Sequence, residues 1–153
     1  MGVSVQSSAG AYRAPPIEEG RMATTTLTAA NFEQTVTEHD IVLVDFWASW
    51  CGPCQQFAPV FERASDAHGD VVFGKVDTEA ERELSAAAQI TSIPTLMAFK
   101  QGHLVFSQPG ALPPAALEQV ITAVRELDVD AALAEQAGHG ADVSDGAAEE
   151  QER

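Results

Sequence analysis

The stretch IVLVDFWASWCGPCQQFAPVF (Ile41–Phe61) changes character twice within one short span. Residues 41–48 are apolar almost without a break, as expected for a central strand covered on both faces. One acid, Asp45, interrupts them. Cys51 and Cys54 follow, separated by Gly52 and Pro53, and a helix is predicted from there to about His68. It should bend at Pro59, whose nitrogen has no hydrogen to offer the Gln55 carbonyl. Both cysteines of the chain therefore sit where a buried strand gives way to a helix.

Two sulfurs so close can staple a fold, hold a metal or carry electrons. A bridge between Cys51 and Cys54 closes so short a loop that it removes little unfolded-chain entropy. A structural metal needs four ligands, and beyond the two cysteines there are only His39, His68, His103 and His139, none paired at zinc-finger spacing. All four are expected on the surface, and no metal is expected. Redox chemistry fits the position better. A thiol attacks as its thiolate, and Cys51 lies among the unpaired N–H groups at the positive end of a helix dipole. Cys54 falls one turn further on, with less access to solvent. Cys51 is thus expected to attack a substrate disulfide and Cys54 to resolve the mixed disulfide. Gly52 allows close backbone approach and Pro53 suits the first helical turn.

Releasing Cys54 as a thiolate needs a proton acceptor. Asp45 is the candidate, because a carboxylate in an apolar strand is desolvated and its pKa rises. Lys75, the single charge in the middle of the buried strand VVFGKVD (71–77) and its only cation, is expected to be its counter-ion beneath the cysteines. The plainer possibility is a hydrogen-bonded buried acid beside a lysine whose stem reaches water.

Outward from this centre the pattern alternates. TTTL (24–27) reads as a short strand, and Thr28 as the cap of a helix over 29–38 with Phe32 and Val36 on one face. TEAERELSAAA (78–88) reads as a helix with acids in its first turn. TLMAF (95–99) and HLVFS (103–107), joined by KQG, read as a hairpin, and Pro113–Pro114 open a last helix with Leu117, Val120, Ile121 and Val124 at helical spacing. Strand, helix, strand, helix, strand, helix, hairpin, helix implies an α/β fold, a mixed sheet with helices on both faces. Right-handed crossovers set the cysteines at the C-terminal edge of a strand, where ligands of such sheets gather.

The 153 residues fit one domain, expected over 23–127. Residues 1–22, rich in Ser, Ala, Gly and Pro, are expected to be a disordered leader or the product of an upstream start, since Met22 directly precedes the first strand. Residues 128–153 carry eight acidic side chains and one basic, nearly half of the formal net charge of −15. They are expected to be a mostly disordered acidic tail, with a helical turn or two through Leu133 ended by Gly138 and Gly140. Eight scattered basic residues argue against nucleic acid. No apolar run has the length of a membrane span and the N-terminal segment has no signal-like stretch, so a cytoplasmic protein away from membranes is expected.

Taken together, VDFWASWCGPC, the proline at Pro59, then KVD, SIPT, FKQG and PGAL, all in order, resemble the thioredoxin family over about Thr24–Leu127. The resemblance implies a five-stranded mixed sheet flanked by four helices. It also implies a cis-proline at Pro94 whose loop, with the Ile93 backbone, lies beside Cys51 and aligns an extended substrate segment. Trp50 would flank and shield the motif, Trp47 would pack beneath, and Gly110 would leave space for substrate. Gln55 stands where family members often carry Lys or Arg, which removes a cation near the redox pair.

The activity so implied is that of a general protein-disulfide reductase, a monomer acting on disulfide-containing proteins. It would be recharged by thioredoxin reductase, a separate flavoprotein drawing electrons from NADPH. The chain itself would hold no cofactor, and no Gly-rich dinucleotide fingerprint is present. The alternative is a binding or chaperone module that grips partners with an apolar rim of Trp50, Ile93 and Pro94. An extracytoplasmic disulfide oxidase is disfavoured by the missing signal and by Gly-Pro between the cysteines.

Overall fold

A computed structural model describes residues 23–135. The disorder expected of 1–22, and of the tail beyond residue 135 with Gly138, His139 and Gly140, lies outside the described residues. Within them the chain forms β1 (Thr24–Thr26), α1 (Phe32–Glu38), β2 (Ile41–Trp47), α2 (Gly52–Ala67), β3 (Val72–Asp77), α3 (Arg82–Ala87), β4 (Thr95–Lys100), β5 (His103–Pro109) and α4 (Pro114–Glu126). A further short helical stretch covers 129–135, where a turn or two was expected.

The strands form one sheet in the order β1-β3-β2-β4-β5. β3 pairs parallel with β1 and β2, whereas β4 runs antiparallel to β2 and to β5. The sheet is mixed, as predicted, and β2 lies at its centre with both faces covered. Alternation along a strand sends successive side chains to opposite faces. Ile41 and Leu43 of β2 join Phe73, Leu96, Phe57 and Phe61 of α2, and Leu117 and Ile121 of α4. Val42, Val44 and Phe46 join Val76, Leu27 and Val36 on the other face, where Phe32, Leu84 and Ala88 also pack. The same period puts Asp45 on the face of Leu43, beneath α2.

Two helices start later than expected, each because a side chain captures the backbone first. Asn31 Oδ1 accepts the Thr28 N–H at 2.7 Å and Thr28 Oγ1 accepts the Ala30 N–H at 3.2 Å, so 28–31 is a turn and α1 begins at Phe32. Asp77 Oδ1 likewise accepts the Glu79 N–H at 2.9 Å, and the Glu81 N–H donates to the Asp77 carbonyl, leaving 78–81 outside α3.

α4 is fastened at its C-terminal end. Lys100, a buried lysine of β4, donates from Nζ to the carbonyls of Val124, Arg125 and Leu127, each at 2.8 Å. A cation here meets both the orphan carbonyls and the negative end of the helix dipole. Arg125 also donates to Asp70 and to His68 Nδ1, while His68 Nε2 lies 2.9 Å from Glu118. His68, expected at the surface, is accordingly half-buried and stacks on Phe73.

Candidate functional site

Residues 48–51 turn the chain from β2 into α2. Cys51 is the N-cap of α2 with an extended backbone, and its Sγ accepts the Cys54 N–H at 3.1 Å. The Cys51 N–H in turn donates to the Ala48 carbonyl at 3.2 Å. Cys51 and Cys54 are joined by a disulfide, with Cα atoms 5.2 Å apart. Gly52 and Pro53 form the exposed first turn of the helix. Gln55 Nε2 donates to the Ser49 carbonyl at 2.8 Å and so ties down the turn.

The expected difference in solvent access between the cysteines is slight in this disulfide state, 5% for Cys51 and 3% for Cys54. What separates them is what each faces. Cys51 Sγ lies 3.7 Å from the Ile93 carbonyl oxygen at the outer rim. Cys54 faces inward, lining a cavity of about 100 Å³ with Asp45, Trp47, Ala48, Ser49, Gln55, Ala58 and Lys75.

The Ile93–Pro94 peptide is cis and precedes β4. Gly110, at φ +102°, lies next to it in space, its N–H donating to the Pro94 carbonyl at 2.7 Å. Trp50 is 67% exposed and its indole N–H donates to Glu79, which also binds Arg82. Ile93 is half-buried and Pro94 buried, so of the three residues assigned to an exposed apolar rim only Trp50 projects strongly. Pro94 leads directly into the covered strand β4. Trp47 packs below against the cysteine cluster, and its carbonyl accepts from the Thr78 backbone and hydroxyl.

Beneath the disulfide, Asp45 and Lys75 are register partners in the parallel β2–β3 ladder. Asp45 is 1% exposed and its Oδ1 has no hydrogen-bond partner. Burial pushes its carboxyl from the ordinary 3.8 up to about 7; Lys75 opposes the rise and Glu62 adds to it. The Lys75 ammonium approaches Asp45 beneath the cysteines, as expected, in register and across one cavity, but makes its ion pair elsewhere. It lies 3.5 Å from Glu62 Oε2 and 5.2 Å from the centre of the Trp47 ring. Glu62 was not singled out in the sequence, although its spacing offered a signal. Cys54, Ala58 and Glu62 recur every four residues and so share one face of α2. Among the described residues, no group of three or more His, Cys, Asp or Glu could hold a metal, and no helix is long and apolar enough to cross a membrane.

Comparison with known proteins agrees with this arrangement. The family profile described as Thioredoxin matches residues 23–123. A protein described as putative thioredoxin 2 from Streptomyces coelicolor is 59% identical over 108 residues, 71% of this chain and 81% of that one. A solved thioredoxin of Plasmodium falciparum is 37% identical and superposes with a TM-score of 0.62, covering 65% of this chain and 98% of that one. A structure concerned with thiol resolution in yeast mitochondrial 1-Cys peroxiredoxin by glutathione/thioredoxin systems is 30% identical, with a TM-score of 0.61 over 69% of this chain and 96% of that one. With the disulfide at the helix N-terminus, the cis-proline beside it and the five-stranded mixed sheet beneath, this chain belongs to the thioredoxin family and is a thiol-disulfide oxidoreductase.

Proposed function

We propose that this thiol-disulfide oxidoreductase works as a general protein-disulfide reductase, with Cys51 as nucleophile, Cys54 as resolving thiol and Asp45 as proton acceptor. The observation that carries the reading is the Cys51 Sγ at the N-cap of α2, where the Cys54 N–H points at it and the Ile93 carbonyl lies alongside. An N–H donor and the helix dipole both favour a thiolate there.

In the reduced protein the Cys51 thiolate attacks one sulfur of a substrate disulfide. A mixed disulfide forms and the second substrate sulfur leaves as a thiolate. Cys54 then gives its proton to the Asp45 carboxylate and attacks Cys51 Sγ; the Cys51–Cys54 bond forms and the substrate's first sulfur departs. Two electrons have passed to the substrate. The cavity shared by Cys54 and Asp45 has room for roughly three water molecules, enough to relay the proton. Lys75 biases the Asp45 charge from the neighbouring strand.

Substrate would lie in extended form along Ile93 and Pro94, against Trp50, Gly52 and Pro53. Gly110 presents no side chain there, and a Cβ on it would meet nothing within 4 Å. The peroxiredoxin setting of one solved relative supports disulfide-bearing proteins as the partners. In this reading residues 23–127 are the working unit, a cytoplasmic monomer. It binds no cofactor and receives electrons from NADPH through a separate thioredoxin reductase, which family membership supports.

A Cys54→Ser variant tests the assignment. It should stop turnover and accumulate substrates as mixed disulfides on Cys51, released by an added thiol. Retained partner binding and full cellular function in that variant, without covalent trapping, would instead identify a binding module.

A further inference from the structure

Glu62 stands two turns beyond Cys54 on α2, and Ala58 between them is too small to close the space above Asp45. Its carboxylate holds the Lys75 ammonium at 3.5 Å, with both side chains largely shielded from solvent, 19% and 28% exposed for Lys75 and Glu62. Asp45, opposite Lys75 in the ladder, is left with an unpartnered buried oxygen. One ammonium thus stands between two carboxylates and pairs with the outer one.

We infer that Glu62 competes with Asp45 for the Lys75 ammonium and thereby sets how readily Asp45 takes a proton during the exchange. It is a positioning residue, acting through Lys75, and the inference builds on the proton-acceptor reading of Asp45. The groups around Asp45 leave few other candidates. β3 contributes Lys75, and α2 contributes Glu62 and Cys54, the latter unable to titrate while disulfide-bonded. β4 contributes Leu96 as the register partner, and the turn after β2 contributes Trp47, Ala48 and Ser49, none of them titratable. Two effects of Glu62 act in the same direction. Its negative charge repels a second carboxylate nearby, and its hold on Lys75 withdraws the cation that would favour the ionised Asp45.

The test follows the Asp45 carboxyl by carbon-13 NMR in the oxidised full chain, across a pH titration. In Glu62→Gln the midpoint should fall by roughly half a pH unit or more, because the repulsion is gone and Lys75 is free to turn to Asp45. Glu62→Asp, which keeps the charge, should recover part of the shift. In a Lys75→Met background the effect of Glu62→Gln should shrink, since the competition has lost its object. An unmoved midpoint in Glu62→Gln overturns the inference, as does a shift undiminished without Lys75, which would leave only a direct field. Should Lys75→Met fail to fold, Lys75→Gln, which keeps a polar head without the charge, supplies the second background for the same comparison. A second readout is the pH profile of mixed-disulfide resolution in single turnover, which should move with the Asp45 midpoint. If the midpoint falls while that profile stays, Glu62 still governs Asp45, and it is the proton-acceptor reading that fails.

Discussion

The Gly110 N–H donates to the Pro94 carbonyl at 2.7 Å, joining the chain after β5 to the residue before β4 at the edge of the redox pair. Gly110 holds φ +102°, a conformation open to glycine and strained for any L side chain.

Gly110→Ala should therefore act through the backbone, since its Cβ would project into open space. We expect a loss of about 1–2 kcal/mol in stability by urea unfolding. Reduction of a protein disulfide should show a raised KM, from the methyl group placed on the proposed path of the substrate. An unchanged KM with unchanged stability would mean that an L residue holds this φ without strain and that substrate does not pass over this position.

Asp45 makes stability depend on pH. Its folded value of about 7 exceeds the ordinary 3.8, so between these values the native state keeps a proton that the unfolded chain has released. This contribution is fully present below pH 3.8 and is lost as pH rises through about 7. Asp45→Asn should abolish the slope and make the oxidised protein more stable than the parent above pH 7, by at most about 4 kcal/mol. It should also slow mixed-disulfide resolution. Denaturant melts of both proteins at pH 5 and pH 8 check the first effect; parallel curves at the two pH values would contradict it.

Lys100→Met should weaken the whole domain rather than the site. It removes three hydrogen bonds from an ammonium to buried or half-buried carbonyls, of which Val124 alone has another donor, the Leu127 N–H at 3.2 Å. A cost of about 3 kcal/mol is expected, seen as a lower urea midpoint with unchanged slope. Disulfide reductase activity below the melting range should stay near that of the parent.

Gly74→Ala should be damaging for want of space. A Cβ there would collide with Leu27 Cδ1 and lie 2.8 Å from its Cγ, and Leu27, just after β1, is fully buried with Val42 and Val44 on that face of the sheet. Forced repacking is expected to cost about 1–3 kcal/mol, more than the helpful loss of glycine's unfolded-state freedom. A compensating Leu27→Val, which removes a methylene, should recover part of the loss in the double variant.

Much of the architecture was legible because it rests on periodicities that the residues display. β2 read as a covered strand from its unbroken apolar run, and α4 from Leu117, Val120, Ile121 and Val124. The late starts of α1 and α3 were not legible. Thr28, Asn31 and Asp77 can each cap a helix or build a turn, and only the relative placement of the backbone groups chooses between these. The site was legible where it depends on chain neighbours, as with Cys51, Cys54 and the cis bond before Pro94, implied by family resemblance.

Sequence alone determined that Asp45 and Lys75 would each stand inside an apolar strand and that two thiols would meet at a helix's first turn. Both follow from local spacing, which covalent geometry carries into the fold. Tertiary structure alone decided that Lys75 pairs with Glu62, that Trp50 and not Pro94 projects from the rim, and that Lys100 caps α4. These depend on distances between segments far apart in the chain, where a long side chain reaches several partners and packing selects one.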